Sequence, residues 1–294
     1  MQSFSRGWNF LMQAWKMAGA DQDLLKPSIF AMVAGFVVSL IGLIPLGLVA
    51  FIFGTQGLIA QVLLGIFGAL LVFAQYAVTY IFSAMTVKLI YDYLTDGDGR
   101  MDKAWEIVQR DWLDILSLAA ASTLVNIVKN WVRGNGKNRN FIRTSIANLI
   151  DTLWTEATFL VLPIMVIEDE NLKDGLKRAT YIVKNNLLLV GISTVGVRWV
   201  TGLIGFVIGL IGVVLGVGIA FPLITLAGDA ILLVVIAVIL GVMVASVFFM
   251  AAQVITSYTS TAYHTCLYLW ARNVEHAQQG IPVSIPAPLA AVLG

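Results

Sequence analysis

The sequence predicts an all-α, polytopic helical membrane bundle, and three observations lead to that expectation. Hydrophobic residues make up 59% of the 294 residues and charged ones only 12%, with a mean hydropathy of +0.88, too apolar for a water-soluble chain. Four stretches, 28–53, 58–94, 199–221 and 230–272, are apolar for long enough to cross a hydrocarbon layer of about 30 Å. The charged residues gather between them in short amphipathic segments. These features make residues 1–272 one membrane domain, with four full spans and a central interfacial or re-entrant helical hairpin within 101–198. Six transmembrane helices are the alternative.

The chain opens on an amphipathic helix over 1–26, in which Trp8, Leu11, Trp15 and Ala18 share one face. It contains Arg6, Lys16, Asp21 and Asp23, so no cleavable signal peptide is expected. A juxtamembrane helix packed on its own domain is the expected role. Lys26-Pro27 ends it. The first span, 28–53, has Gly35, Ser39 and Gly42 on one face, which lets another helix approach closely.

A turn at 54–57 leads into the second span, 58–94, whose first charge is Lys88. It is much longer than a bilayer requires and should project from it. Gln75, Thr79, Ser83 and Thr86 give it a polar face. Two further amphipathic helices are expected, over 96–114 with Trp105, Ile107, Val108 and Trp112 as its apolar face, and over 172–184 with Leu176, Ala179, Tyr181 and Ile182. The chain thus reads as an amphipathic helix followed by an apolar hairpin, three times over.

The middle hairpin, 115–132 and 144–167, bears Asn126, Lys129, Asn148, Asp151 and Glu156, which are costly in lipid. Its connecting loop contains Arg133, Lys137, Arg139 and Arg143. Two ordinary spans would put that basic loop on the side opposite the other basic clusters, against the positive-inside tendency. Either span count is even, so both termini are expected in the cytoplasm of a multi-pass cell-membrane protein.

The third long span, 199–221, has Gly202, Gly205, Gly209, Gly212 and Gly216 along one face. This seam fits close backbone packing, against a helix of the same chain or of another subunit. Arg198 is expected to snorkel to the cytoplasmic interface. Pro222 and Gly228-Asp229 are read as the outer turn. The last span, 230–272, has a polar stripe of Gln253, Ser257, Ser260 and His264. Ala252-Gln253 aligns with Ala74-Gln75, and Tyr258 and Ala262 then align with Tyr80 and Ala84. That match allows an internal duplication or a chance sharing of small and polar residues. The tail, 273–294, contains Pro282, Pro286 and Pro288 and is expected to be extended.

For chemistry, the candidate polar pathway comprises Gln75, Thr79, Ser83, Asp151, Glu156, Gln253, Ser257, Ser260 and His264. Thr144, Asn148, Thr155 and Thr158 share the face of Asp151, and Arg143 and Arg198 are candidate basic partners. Carboxylates in apolar helices serve an ion path or a buried partner. With two histidines and the single Cys266, no metal site is expected. No phosphate loop, nucleophile elbow or His-Glu-x-x-His motif occurs, so neither an enzyme nor a cofactor is expected. The short basic clusters beside spans point to membrane lipid and not to nucleic acid.

Phe4-Ser5-Arg6-Gly7-Trp8, Trp15 and Asp21-x-Asp23-Leu24-Leu25-x-Pro27 resemble the opening of an uncharacterised bacterial integral-membrane family. The segment Trp154-x-x-x-Thr158-Phe159, through Pro163 to Glu168, is similar to it as well. More distantly, the layout resembles the membrane domain of some bacterial glycerophosphodiester phosphodiesterases, without their catalytic domain. The resemblance implies a bacterial inner-membrane protein with cytoplasmic amphipathic helices and supplies no activity. The expected function is a non-enzymatic helical assembly or scaffold, as a homo-oligomer or with a membrane-protein partner. The alternative is a channel or transporter whose polar stripes line a wet pathway.

Overall fold

A computed structural model describes residues 2–134, 141–185, 187–228 and 230–278. Among these the chain forms nine α-helices and no strand: α1 Gln2–Ala20, α2 Lys26–Phe53, α3 Leu58–Asp96, α4 Met101–Arg110, α5 Trp112–Arg133, α6 Phe141–Glu168, α7 Leu172–Asn185, α8 Leu187–Ala227 and α9 Ile231–Gln278. They fall into three triplets, each an amphipathic helix followed by an apolar hairpin, as the sequence pattern implies. Six helices are long and apolar enough to cross a membrane. The two central ones, α5 and α6, are the least apolar, with window hydropathies of 1.4 and 1.6 against 2.2 to 3.2 for the rest.

Several expected boundaries are corrected. The first helix stops at Ala20, and a 3-10 turn, Gln22–Leu24, follows because the Asp21 carboxylate accepts the Asp23 N–H. The other Asp21 oxygen accepts the N–H of Gly99 at 2.7 Å, tying this turn to the α3–α4 loop. Pro27 then sits in the first turn of α2, where its missing N–H costs nothing. Pro222 does not end α8, which continues to Ala227 before Gly228 turns the chain with φ +52°. Residues 273–278, expected to be extended, continue α9. The rest of that tail, and residues 135–140 of the basic loop, lie outside the described residues.

Burial divides the molecule into two levels. The outer halves of α3, α8 and α9 and nearly all of α2 present Phe36, Phe51, Ile59, Phe206 and Val247 outward, the pattern of a lipid-facing surface. The core lies at the other end, where Ala84–Ile90 of α3, Leu160–Val166 of α6 and Tyr258–Ala271 of α9 pack with α1, α4 and α7. The amphipathic helices therefore build a cap over the projecting ends of α3 and α9. Phe10 meets Tyr263 edge-on at 5.3 Å. Trp15 Nε1 donates to Thr259 Oγ1, and the Tyr258 hydroxyl donates to the Ala14 carbonyl. The expected apolar face of residues 96–114 is corrected: α4 ends at Arg110, buries Ala104 and Val108, and leaves Trp105 and Trp112 exposed. On α7, Ala179 and Ile182 are buried and Tyr181 is exposed.

The glycine seam of α8 is filled by α9 of the same chain. A Cβ on Gly216 would lie 2.5 Å from the Gly241 carbonyl oxygen, and one on Gly212 would lie 2.4 Å from Phe248 Cβ. Gly209 faces the Phe249 ring and Gly205 faces Thr256 Oγ1, whereas Gly202 meets nothing within 4 Å. The seam thus serves contact within the chain.

The central hairpin is short relative to its neighbours. Along α3, Tyr80 bonds Ser122 of α5 at 2.7 Å, and Tyr76 receives a bond from Asn126. From Asn126, α5 rises only about 10 Å further to its end, whereas α3 rises about 27 Å from Tyr76 to Leu58. Near its tip Lys129 pairs with Asp151 at 2.7 Å, and Arg133 donates to the neutral amide of Asn148.

Candidate functional site

A subset of the polar residues along α3, α5, α6 and α9 converges on one cavity of about 200 Å³. Thr79 and Ser83 reach it from α3, Ser122 and Asn126 from α5, Asp151, Thr155 and Thr158 from α6, and Thr261 and His264 from α9. Tyr76, Tyr80, Trp154 and Phe159 supply aromatic walls. With roughly 30 Å³ per liquid water, the space suits several waters or one small solute.

Helical spacing explains the convergence. Thr79 and Ser83 are one turn apart, as are Asp151 and Thr155, so each pair shares a face. The inward face of α5 presents Ser122, which organises one wall. Its Oγ accepts the Trp154 Nε1–H at 2.9 Å and also bonds the Tyr80 hydroxyl. Tyr76 and Tyr80 stack with their rings 5.9 Å apart.

His264 is the most constrained member. It is 6% exposed, and its ring lies flat on Phe159 at 4.2 Å and edge-on to Tyr263 at 5.1 Å. Its Nδ1 is 2.6 Å from the Ser260 carbonyl oxygen. A carbonyl can only accept, so Nδ1 carries a proton. Nε2 is buried without a hydrogen-bond partner among the described residues and lies 3.8 Å from Glu156 Oε2.

The donors already in use define what the cavity can still offer. The hydroxyls of Thr79 and Thr158 donate to the carbonyls of Gln75 and Thr155, and the Trp154 N–H is held by Ser122. What remains includes several acceptors: hydroxyl lone pairs, the Asp151 carboxylate and, in the neutral tautomer protonated on Nδ1, His264 Nε2.

Of the pathway residues expected from sequence, Thr79, Ser83, Asp151 and His264 line the cavity and Glu156 stands beside it. Ser260 contributes its carbonyl. Gln75 is corrected: its Nε2 donates to Gly35 O at 2.9 Å and Ser39 Oγ at 2.7 Å, fastening α3 to α2. Gln253 is exposed away from the cavity, and Ser257 does not line it. Thr144 and Asn148 also stand outside it; Asn148 serves Arg133. Arg143 is exposed, and the Arg198 side chain lies outside the described residues. Cys266 is fully buried, as expected of a packed small side chain.

Residues 59–277 match the model of a family of unknown function (DUF6159). No curated protein and no solved structure matches the chain, so the phosphodiesterase likeness gains no support. Every residue lining the cavity falls inside the matched region, whereas α1 and α2 fall outside it.

Proposed function

This chain belongs to the DUF6159 family of unknown function, and from the cavity inside its matched region we propose a channel- or transporter-type membrane protein that binds a small hydrogen-bond-donating solute. The observation supporting this reading most is the convergence of Thr79, Ser83, Asp151, Thr158 and His264 from three helices on one cavity. Polar and ionisable side chains among apolar helices are costly, and a pathway or binding site is their usual reason. The acceptors in the lining suit a solute bearing amine or hydroxyl groups, and four aromatic rings would also favour a cation. The scaffold reading is weaker, because the seam that would join subunits is filled by α9.

Water access tests the proposal. In a Cys266→Ala background, cysteines at Ser83 and Thr158 are expected to react with a membrane-impermeant thiol reagent in nanodiscs. A cysteine at Val247, 62% exposed on the apolar outer half of α9, is expected to stay protected. Protection at all three positions would overturn the cavity reading.

The same reading places both termini and the α1, α4, α7 cap in the cytoplasm, with the central hairpin re-entering from that side. Its short reach along α3 and the Lys129–Asp151 pair support this arrangement. A cysteine at Phe141, 87% exposed beside the basic loop, is expected to label from the cytoplasmic side of oriented vesicles. Labelling only from outside would establish six crossings.

A further inference from the structure

We propose that Nε2 of His264 is the proton-binding atom of the cavity, switching between an acceptor facing the solute space and a donor facing Glu156. The proposal rests on the cavity reading for its solute, but the proton site can be tested without one.

The ring has one free choice. Its faces are fixed by Phe159 and its edge by Tyr263, and Nδ1–H is engaged by the Ser260 carbonyl one turn earlier on the same helix. A half-turn of the ring would keep the stack but exchange Nδ1 for a carbon and lose the bond to Ser260. Protonation can therefore occur only at Nε2, which is buried, lines the cavity and is unpartnered among the described residues. In the neutral ring this atom is a lone-pair acceptor. When a proton from water binds that lone pair, the ring becomes an imidazolium whose Nε2–H points into the space shared with Glu156 Oε2, 3.8 Å away. The donor is hydronium, whose O–H bond breaks as the N–H bond forms and leaves a water molecule, and the proton leaves by the reverse step. An occupied Nε2 no longer accepts a bond from a solute N–H or O–H, so protonation and that contact exclude each other.

The surrounding charges are few. From α6 come Glu156 and Asp151, and from α5 comes Lys129, held by Asp151. Tyr76 and Tyr80 face the space from α3, where the nearby Lys88 is held by Asp92, and Tyr263 lies on α9 itself. Arg198 is the charged residue of α8, and its side chain lies outside the described residues.

The chain has two histidines, so the His276→Gln protein, labelled with nitrogen-15 histidine and held in nanodiscs, gives a single imidazole spectrum. The neutral ring is expected to carry its proton on Nδ1 and to gain a second on Nε2 as the buffer is acidified. Glu156→Gln, which keeps the side-chain shape and removes the charge, is expected to lower the ratio of protonated to neutral ring at fixed pH by about tenfold or more. A neutral ring protonated on Nε2, a ring that never titrates between about pH 5 and 8, or a ratio unmoved by Glu156→Gln would each overturn the proposal. Reactive cavity cysteines beside a non-titrating His264 would sink the proton site alone. A sealed cavity around a titrating His264 would sink the solute reading alone.

Discussion

Gly216→Leu is expected to force α8 and α9 apart and to destabilise the fold by about 3 kcal/mol or more, the upper range for overpacking a filled site. The reason is the kind of atom in the way. A Cβ at Gly216 would meet the Gly241 carbonyl oxygen at 2.5 Å, and one at Gly241 would meet the Gly216 oxygen at 2.6 Å and Ala220 Cβ at 2.8 Å. Two backbones touch there, and no rotamer change relieves the clash. In lipid, where helix association depends on close van der Waals packing, separating these backbones forfeits contact along the whole hairpin.

The effect should fade along the seam. Gly212 meets Phe248 Cβ and the Ala245 oxygen, Gly209 only a ring that can turn, Gly205 a threonine hydroxyl at 3.3 Å, and Gly202 open space. Thermal unfolding in nanodiscs should therefore rank Gly216→Leu and Gly212→Leu far below Gly209→Leu, with Gly202→Leu and Gly218→Leu close to the parent. Equal stability for Gly216→Leu and Gly202→Leu would show that the seam does not hold the hairpin. A change in oligomeric mass without loss of stability would return it to the surface between subunits.

That seam was legible because glycine at helical spacing has few other uses in a span, yet spacing alone could not say which helix fills it. The polar stripes had the same ambiguity. Gln75 and Thr79 lie one turn apart on α3, but Gln75 turns to Gly35 and Ser39 of α2, and only Thr79 reaches the cavity. On α9, Gln253 and His264 share a stripe, and only the deeper residue meets α6. A one-dimensional period assigns a face; the neighbour on that face depends on how three hairpins pack.

Aromatic and small lining residues were the larger omission. Tyr76 and Ser122 have no place in the sequence reading, and Tyr80 enters it only through its alignment with Tyr258. Their signal was present in combination: two tyrosines one turn apart, and the Trp154-x-x-x-Thr158-Phe159 motif, whose three named residues all line the cavity. Helix ends were misjudged where proline or a charge suggested a stop. Pro222 is accommodated inside α8, as prolines in membrane helices commonly are.

Arg178→Met is expected to loosen the cap, at a cost of about 2 kcal/mol, between the values for exposed and fully buried ion pairs. Arg178 lies on α7, where its guanidinium reaches Glu168 at the end of α6 and makes two bonds to Glu275 near the end of α9. The Tyr268 hydroxyl donates to Glu168 at 2.6 Å, closing the cluster. Burial alone would pull the guanidinium pKa down, but the Glu275 hydrogen bonds and the two carboxylate charges outweigh it and hold it above its usual value. Methionine keeps much of the stem's packing and leaves two carboxylates, each 22% exposed, without their shared cation. The two negative charges then face one another with no cation between them, which adds repulsion to the lost hydrogen bonds. Adding Glu275→Gln should recover part of the loss at neutral pH, because one negative charge then remains where Tyr268 can still donate to it. If the single variant unfolds with the parent at neutral pH, packing of Ala179 and Ile182 suffices to seat α7. A deficit that Glu275→Gln does not reduce would point to lost packing of the arginine stem. A deficit that Glu275→Gln partly repairs is the result expected if this charge cluster clamps the inner ends of α6 and α9, the two helices that supply Glu156 and His264 to the cavity.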